Sequence, residues 1–235
     1  MTITSPHNQK LKEIRKLRGR RRWREQSGLF VAEGEDLLEA ADAAGWEPVE
    51  RYCATGSGLP GLEVEPELLA QASGLRSGTR ALAVYEERWA SAPLGPLCVY
   101  LHGVHDPGNV GAVLRCAQAF GASSVALGPD TADPFGPKAV RASMGAVFGV
   151  PLARGVDVAA VPGTKIALVS GRGDPLAATD PGTETTLMIG AEREGLPEEL
   201  VAGADRVAHI PIATESLNAA MAATIALYEL KARAN

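Results

Sequence analysis

Residues 97–128 contain a strand, a helix and a second strand in close succession, and this unit limits the possible folds more than any other part of the chain. The apolar run LCVYLHGV (97–104) is typical of a buried strand, as is SSVALG (123–128). Between them, VGAVLRCAQAFG (110–121) repeats its apolar residues at the helical period of 3.6. A strand, helix and strand in this order predict two parallel neighbouring strands.

The residues that follow continue the alternation. Three further strands are predicted at 164–170, 185–190 and 205–212. Helices are predicted at 138–151, where KAVRASMGAVFGVP is typical of a helix that runs to a glycine, and at 216–234, which is rich in alanine. The sequence therefore predicts an α/β fold with an open, largely parallel sheet.

A Pro- and Ala-rich stretch, WASAPLGP (89–96), divides the chain into two predicted domains, 1–88 and 96–235. In the first, GLFVAEG (28–34) is typical of a strand, and residues 35–45 are typical of a helix that ends at a glycine. Short apolar segments follow as far as residue 87. We expect a small α/β domain in this part of the chain.

Charge is distributed unevenly. The whole chain carries a formal net charge of −5, yet residues 1–24 hold nine lysines and arginines against the single acidic Glu13. Such a cluster can neutralise RNA phosphates, although a solvated basic helix would show the same pattern. The candidate RNA-binding residues in this segment are Arg18, Arg20, Arg21, Arg22 and Arg24.

Several classes of protein fit the sequence poorly. No run approaches the roughly 18 apolar residues of a membrane helix, and the polar N-terminus lacks the apolar core of a signal peptide. The three cysteines lack metal-ligand spacing, and His102 and His105 have no third ligand nearby, so we expect no metal site. Reduced cysteines favour a cytoplasmic protein without membrane contact.

The polar residues at the predicted strand ends have both structural and functional interpretations. No GxGxxG follows the first strand of the C-terminal domain, which argues against a Rossmann dinucleotide site. Asn109 could cap the helix that follows it, and Arg115 could be a surface residue or face RNA. Glu192 follows a buried strand in GAEREGL (190–196), whereas Ser216 and Asn218 could cap the last helix.

Taken together, four segments in order resemble the motifs of a known family. These are DPGNVGAVLRCAQAFG (106–121), PKAVRASMGAVF (137–148), GAEREGL (190–196) and IPIATESLNAAMAATIALYE (210–229). The chain resembles the SpoU-type (TrmH-like) branch of the SPOUT RNA methyltransferases over nearly its full length. Segments near the N-terminus, such as GLFVAEGEDLLEAA, resemble the small substrate-binding domain of many members.

The resemblance implies a C-terminal trefoil knot that binds S-adenosylmethionine, a homodimer in which both protomers contribute to each site, and methylation of a ribose 2′-hydroxyl in ribosomal or transfer RNA. It assigns catalytic roles to Arg115, Asn109, Glu192, Ser216 and Asn218. It assigns cofactor contacts to Leu187, Met188, Ile189, Gly190, Ile210, Ile212, Leu217 and Ala219. Arg141, in the second segment, joins the basic N-terminus as a candidate RNA contact.

One segment departs from the family pattern. Family members typically have six residues, including a glycine, between the proline and the serine of the last motif, but only residues 212–215 separate Pro211 from Ser216. This loop lies against the cofactor in the family. An alternative function is therefore an RNA-binding protein of the same fold whose cofactor binding is weakened or lost.

Overall fold

The computed structural model describes residues 2–74 and 78–233, and within these ranges the chain forms eleven β-strands and nine α-helices. The N-terminal part contains α1 (Gln9–Gly19), α2 (Arg21–Ser27), β1 (Leu29–Glu33), α3 (Glu35–Ala43), β2 (Glu50–Ala54), β3 (Leu62–Val64), α4 (Pro66–Ala72) and β4 (Ala81–Glu86). The C-terminal part contains β5 (Leu97–Leu101), α5 (Pro107–Ala119), β6 (Ser124–Leu127), α6 (Pro137–Ser143), α7 (Ala146–Gly149), β7 (Leu152–Arg154), β8 (Thr164–Leu168), β9 (Asp174–Pro175), β10 (Thr185–Ile189), α8 (Glu198–Ala202), β11 (Arg206–His209) and α9 (Ala219–Arg233).

The N-terminal strands form a four-stranded sheet in the order β1-β4-β2-β3. The pairs β1–β4 and β4–β2 are antiparallel, and only β2–β3 is parallel. Leu11, Ile14 and Leu17 lie on one face of α1, at helical spacing, and are fully buried with the residues of this sheet. The predicted small α/β domain is therefore present as a mixed sheet covered by helices.

The C-terminal strands form a seven-stranded sheet in the order β7-β6-β5-β10-β8-β11-β9, and every pair in it is parallel. All five residues of β10 are buried, as expected for a central strand covered on both faces. This sheet confirms the largely parallel α/β architecture. Because the strands are parallel, the loops after β5, β8, β10 and β11 meet at one edge, where α/β proteins bind their ligands.

Two predicted helices differ from the structure. The helix predicted over residues 138–151 is broken into α6 and α7, because Met144 and Gly145 adopt left-handed backbone angles, with φ of 49° and 93°. The helix predicted over 216–234 begins only at Ala219, and its predicted last residue, Ala234, lies outside the described residues. The basic N-terminal segment likewise forms two helices that are separated at the extended Arg20.

The two sheets share one hydrophobic core. Phe30 of β1 lies with its ring centroid 4.6 Å from that of Phe135, and Trp46 packs edge-on against Phe148 at 5.2 Å. The Trp46 Nε1 also donates a hydrogen bond of 2.9 Å to the Phe148 carbonyl. A continuous buried cluster therefore joins the N-terminal part to the C-terminal part. Within the described residues, no helix is both long and apolar enough to cross a membrane.

Candidate functional site

Three polar residues from distant parts of the chain meet at the ligand-binding edge of the parallel sheet. The Asn109 Nδ2 in the first turn of α5 donates to the Glu192 Oε1, which follows β10. The Asn218 Nδ2, just before α9, donates to the Asn109 Oδ1 at 2.9 Å. The Asn109 amide is thus held from both sides, and its orientation is fixed by a charged acceptor and a neutral donor.

Asn109 does not cap α5, and the interpretation of this residue as an N-cap is wrong. The helix begins two residues earlier, at Pro107, and its cap is Asp106. The Asp106 Oδ1 accepts hydrogen bonds from the Gly108 and Asn109 amides at 2.6 and 3.2 Å. Since Asp106 takes the capping role and Pro107 suits the first helical position, the Asn109 side chain is free to face Glu192 and Asn218.

Lys138 completes the support of this helix start. Its Nζ donates to the Asp106 Oδ2 at 2.7 Å. This hydrogen bond, reinforced by the backbone amides of Asn109 and Gly108, holds the pKa of the Asp106 carboxyl below its usual value of 3.8. Asp106 is therefore a carboxylate near neutral pH and remains an acceptor for the amides that begin α5.

Asn218 caps α9, as the structural interpretation of that residue predicted. Its Oδ1 accepts from the Ala220 and Met221 amides at 2.9 and 3.3 Å, while its Nδ2 reaches Asn109. One side chain therefore serves both the helix and the polar network. Ser216 lies three residues before the first residue of α9 and faces a cavity instead.

That cavity has a volume of about 540 Å³ and lies at the same edge of the sheet. Its walls are the loops that follow β8, β10 and β11, together with the start of α9. Predicted site residues among its lining are Ile189, Gly190, Glu192, Ile210, Ile212, Ser216, Leu217 and Ala219. Most of this lining is apolar, and a few polar groups converge on it, as is usual for small-molecule sites.

Two predicted cofactor residues do not reach the cavity. Leu187 and Met188 lie inside β10, where their side chains point to opposite faces of the sheet and are fully buried in separate core clusters. Neither residue lines the cavity, and the cofactor contact expected of Leu187 and Met188 stays a prediction. Gly190, in contrast, lines the cavity, and a Cβ built on it would overlap the main chain of Gly195. Only glycine fits at this point of the tight turn that the Ala191–Gly195 bridge closes.

The short loop before Ser216, residues 212–215, is mostly exposed, and its main chain is hydrogen-bonded to the loop after β8. The Ser170 hydroxyl donates to the carbonyl of Glu215. Both residues line the cavity, as does Ile212. The shortened segment of residues 212–215 therefore still forms one wall of the cavity.

Arg115 lies on the exposed surface of α5. Its guanidinium makes no hydrogen bond or ion pair with any part of the chain that the structure describes. It is six residues beyond Asn109 and therefore about 120° away round the helix. The structure thus keeps Arg115 outside the polar network of its own chain and leaves its donors available.

The basic residues of the N-terminal part have different environments. Arg20, Arg21 and Arg22 are exposed, and Arg21 lines a cleft of about 1110 Å³ that extends to Pro107 and Lys138. Arg18 and Arg141 both approach the buried Glu33, and the Arg18 Nη1 donates to the Ala72 carbonyl at 2.7 Å. Arg18 and Arg141 remain partly exposed.

Arg24 is buried, and the expected RNA contact does not fit its placement. Its Nη2 and Nε donate to the Asp133 Oδ2 at 2.7 and 2.8 Å, and its Nη1 donates to the Leu17 carbonyl at 2.6 Å. The guanidinium therefore connects the N-terminal helices to the loop after β6. The positive charge of Arg24 contributed to the RNA-binding prediction, but in the structure it forms an ion pair between the N-terminal and C-terminal parts of the chain.

Comparison with known proteins identifies the family. Residues 96–228 match the model of the SpoU rRNA Methylase family, and residues 8–89 match that of the MRM3-like substrate binding domain. The chain belongs to the SpoU rRNA methylase family. This SpoU protein is 29% identical to the 23S rRNA (guanosine(2553)-2′-O)-methyltransferase RlmP of Bacillus subtilis strain 168, over 97% of its own length and 98% of that of the relative.

Solved structures agree with this assignment. The SpoU chain resembles an AdoMet-bound rRNA methyltransferase from Sinorhizobium meliloti with a TM-score of 0.89 and 30% identity, covering 99% of this chain and 98% of the other. It also resembles the SpoU methyltransferase AviRb from Streptomyces viridochromogenes in complex with AdoMet. That similarity has a TM-score of 0.87 and 26% identity, and covers 97% and 98% of the two chains.

Several residues of this SpoU site were missed in the sequence. Asp106 and Lys138 support the helix start, while Leu168, Ser170 and Leu196 line the cavity. Asp106 and Lys138 both stand in segments that resemble family motifs, so a signal for them was present. The loop after β8 carries no motif, and only the topology brings it to the cavity. Among the described residues, no cluster of three candidate metal ligands occurs.

Proposed function

We propose that this protein transfers a methyl group from S-adenosylmethionine to a ribose 2′-hydroxyl of ribosomal RNA. The observation that carries the proposal is the convergence of Asn109, Glu192 and Asn218 beside a 540 Å³ cavity at the ligand-binding edge of the sheet. Structural relatives that cover nearly the whole chain bind AdoMet. The relative of similar length in Bacillus subtilis is named as a 2′-O-methyltransferase of 23S rRNA.

The residues of the cavity fit this cofactor. Ile189, Ile210, Leu217 and the other apolar lining residues suit an adenine ring, and the main chain around Gly190 offers amide and carbonyl groups for hydrogen bonds. Glu192 and Glu215 place carboxylates at the cavity, where a cationic ligand is favoured over an anionic one. S-adenosylmethionine supplies a methyl group on a positively charged sulfur, which makes that methyl carbon electrophilic.

The residues of this chain would then hold and activate the RNA. In the transfer, the bond from the ribose oxygen to the methyl carbon would form as the sulfur–methyl bond breaks and the sulfur leaves as a neutral thioether, while the hydroxyl proton would pass to water. The guanidinium of Arg115 is permanently protonated, so we assign it to stabilising the developing negative charge and orienting a phosphate rather than to taking the proton. Asn109, Glu192, Ser216 and Asn218 position the ribose and the cavity loops, since near-attack alignment alone can lower a barrier by roughly 7–11 kcal/mol.

We further propose that residues 1–88 form the RNA-binding domain and that residues 96–235 form the methyltransferase domain. Arg20, Arg21 and Arg22 lie exposed on the N-terminal helices, and the cleft beside Arg21 leads towards the start of α5. Basic residues along such a path can neutralise successive phosphates. Ribosomal RNA as the substrate places the site of action in the cytoplasm.

We also infer a homodimer that forms through α9. Met221, Ile225 and Tyr228 are 42–61% exposed and occur at helical spacing on one face. Such an apolar stripe on a charged protein is typical of a subunit interface. The Tyr228 ring packs on Phe120, which directly follows α5, so a partner bound to α9 would also lie close to the helix that carries Arg115.

The predicted trefoil knot belongs to this proposal. Loops after β8, β10 and β11 wrap one cavity, and Gly190 passes against Gly195 too closely for any side chain. A chain threaded through its own loop would bring the loops of three strands to one cavity in this way, whereas the approach of Gly190 to Gly195 lies within a single tight turn. The resemblance to the SPOUT enzymes supports the same conclusion.

Two measurements test the proposed function. Calorimetry with S-adenosylmethionine should give a saturable heat, whereas no detectable binding would favour the RNA-binding alternative suggested by the short 212–215 loop. Incubation of unmodified 16S and 23S ribosomal RNA and of transfer RNA with methyl-labelled cofactor should label a ribosomal RNA and create an alkali-resistant linkage. Label confined to transfer RNA would correct the substrate, and label on a base would contradict ribose methylation.

A further inference from the structure

One exposed residue in the second family-like segment has no role in the proposed mechanism. Met144 is 57% exposed although it is large and apolar, and its backbone has φ of 49° and ψ of 40°. Left-handed angles are unfavourable for a residue with a side chain, and glycine or asparagine usually occupies such positions. Met144 therefore combines two unfavourable features, an exposed apolar surface and a strained backbone. Together they indicate that its side chain contacts another molecule.

The packing of α5 against α6 and α7 locates Met144 beside Arg115. A Cβ built on Gly111 would lie 2.7 Å from the Ala142 Cβ, and one on Gly149 would overlap the side chain of Gln118. Arg115 is four residues after Gly111 and three before Gln118, so it shares their side of α5. It therefore faces the junction between α6 and α7, which Met144 forms.

Arg141 lies close to Met144 at the end of α6. It is one helical turn earlier, and its carbonyl accepts the amide of Met144 at 3.1 Å. Its Nη1 lies 3.8 Å from the Glu33 Oε2 of the N-terminal part and is buried, whereas the side chain as a whole remains partly exposed. Arg115, Arg141 and Met144 thus form one patch at the seam between the two parts of the chain, which we call the seam patch.

The seam patch is separate from the apolar face of α9. On α5, Cys116 and Phe120 face α9, through contacts with Thr224 and Tyr228. Gly111 and Gln118 point roughly 140–180° away from those two residues round the same helix. Met144 lies on the side of α5 to which Gly111 and Gln118 point. A second copy of the chain that bound to α9 would therefore leave Met144 uncovered.

From this geometry we infer that Met144 packs on an unpaired nucleobase of the RNA, next to the nucleotide that is methylated. An exposed apolar side chain close to two arginines matches the chemistry of a nucleotide, which joins a flat, weakly polar base to charged phosphates. Thioether side chains adapt to flat surfaces and contact aromatic rings favourably. This inference rests on the proposed function, because it takes RNA as the substrate.

The test compares Met144→Gly, which removes the side chain and relieves the backbone, with Met144→Leu, which keeps the apolar bulk. Affinity for an unmodified 23S ribosomal RNA transcript is measured without cofactor. Met144→Gly should bind about tenfold more weakly with an unchanged or higher melting temperature, whereas Met144→Leu should stay close to wild type. Leu94→Ala, a change at another exposed apolar residue, is the matched control and should change nothing.

Salt dependence separates the base contact from a charge effect. Met144→Gly should leave the slope of log affinity against log salt unchanged, but Arg141→Gln should reduce it by about one. Unaltered RNA affinity in Met144→Gly would overturn the inference. A loss of dimer in sedimentation would also overturn it, because Met144 would then be a subunit contact. If wild type binds the RNA but methylates none, the proposed function fails while the binding comparison still decides the role of Met144.

Discussion

Asn109 and Asn218 are joined by a hydrogen bond of 2.9 Å between the Asn218 Nδ2 and the Asn109 Oδ1, although 109 residues separate them in the chain. The same Asn218 side chain accepts two amides at the start of α9, and the same Asn109 side chain donates to Glu192. The position of the last helix is thereby coupled to the polar centre of the proposed active site.

Substitutions at Asn218 should separate these two roles. Asn218→Ser can still cap α9 but is too short to reach Asn109, whereas Asn218→Ala loses both interactions. We expect Asn218→Ala to lower the free energy of unfolding by about 1 kcal/mol and Asn218→Ser by much less. Both should reduce methyl transfer to a similar extent. Urea denaturation and labelled-methyl assays measure the two effects, and full activity in Asn218→Ser would show that only the cap matters.

Arg115→Ala should abolish activity without loss of stability. Because its guanidinium has no partner in the described chain, we expect the free energy of unfolding to change by less than about 0.5 kcal/mol. Cofactor affinity should be retained, and methyl transfer should fall by at least about a hundredfold. Arg115→Lys should also be impaired, since an ammonium group cannot reproduce the forked donor geometry. Normal turnover in Arg115→Ala would remove this residue from the mechanism.

Arg24→Met should destabilise the fold strongly. The change leaves the largely buried carboxylate of Asp133 without its cationic partner. We therefore expect the free energy of unfolding to fall by roughly 3 kcal/mol. Arg21→Met is the control, because the exposed ion pair of Arg21 with Glu25 should contribute less than about 1 kcal/mol. Equal effects of the two changes in urea denaturation would contradict the structural role of Arg24.

The Asp106–Lys138 pair should give a small pH dependence. Since the pKa of Asp106 is lowered by folding, its contribution is present above its ordinary pKa near 3.8 and is lost as the pH falls through the lower folded value. Asp106→Asn should therefore cost stability at pH 6, by no more than about 1 kcal/mol for so exposed a group, and less at pH 3, where the carboxyl is largely protonated in the unfolded chain. A cost that is the same at both pH values would show that this ion pair is not its source. Lys138→Gln should reduce the pH dependence.

Ile225→Asp should break the proposed dimer. A carboxylate in the middle of the α9 apolar stripe would have to be desolvated on association, while in the free chain it faces water. Sedimentation should show a dimer for wild type and a monomer for the variant, with unchanged melting of the single chain. A wild-type monomer that methylates RNA at the full rate would contradict a shared active site.

Periodicity and motif order were sufficient to predict the parallel sheet, because buried strands and amphipathic helices have distinct patterns. The role of a residue within a turn was harder to predict. Asp106 and Asn109 both suit a helix cap, and only the preference of Pro107 for the first helical position separates them. The break of the predicted helix at Met144 could not be predicted for a related reason. Methionine is an ordinary helix former, and its own residue type does not indicate left-handed backbone angles.

Long-range partners account for the remaining differences. Arg24 belongs to the same run of arginines as Arg20, Arg21 and Arg22, and its burial depends on Asp133, more than a hundred residues away. Leu187 and Met188 match a cofactor-binding segment in sequence, yet the alternation of side chains along β10 directs both into the core. Neither outcome follows from local pattern, because each requires knowing which elements pack together.

The aromatic contacts among Phe30, Trp46, Phe135 and Phe148 have a consequence for how a nucleotide is chosen. Because both sheets share this core, the exposed basic helices and the cavity are held at a fixed separation and angle. An RNA that touches both must already present its phosphates and its target ribose at that spacing. The fixed spacing between the basic helices and the cavity therefore selects RNA by its shape, and that shape determines which ribose reaches the site.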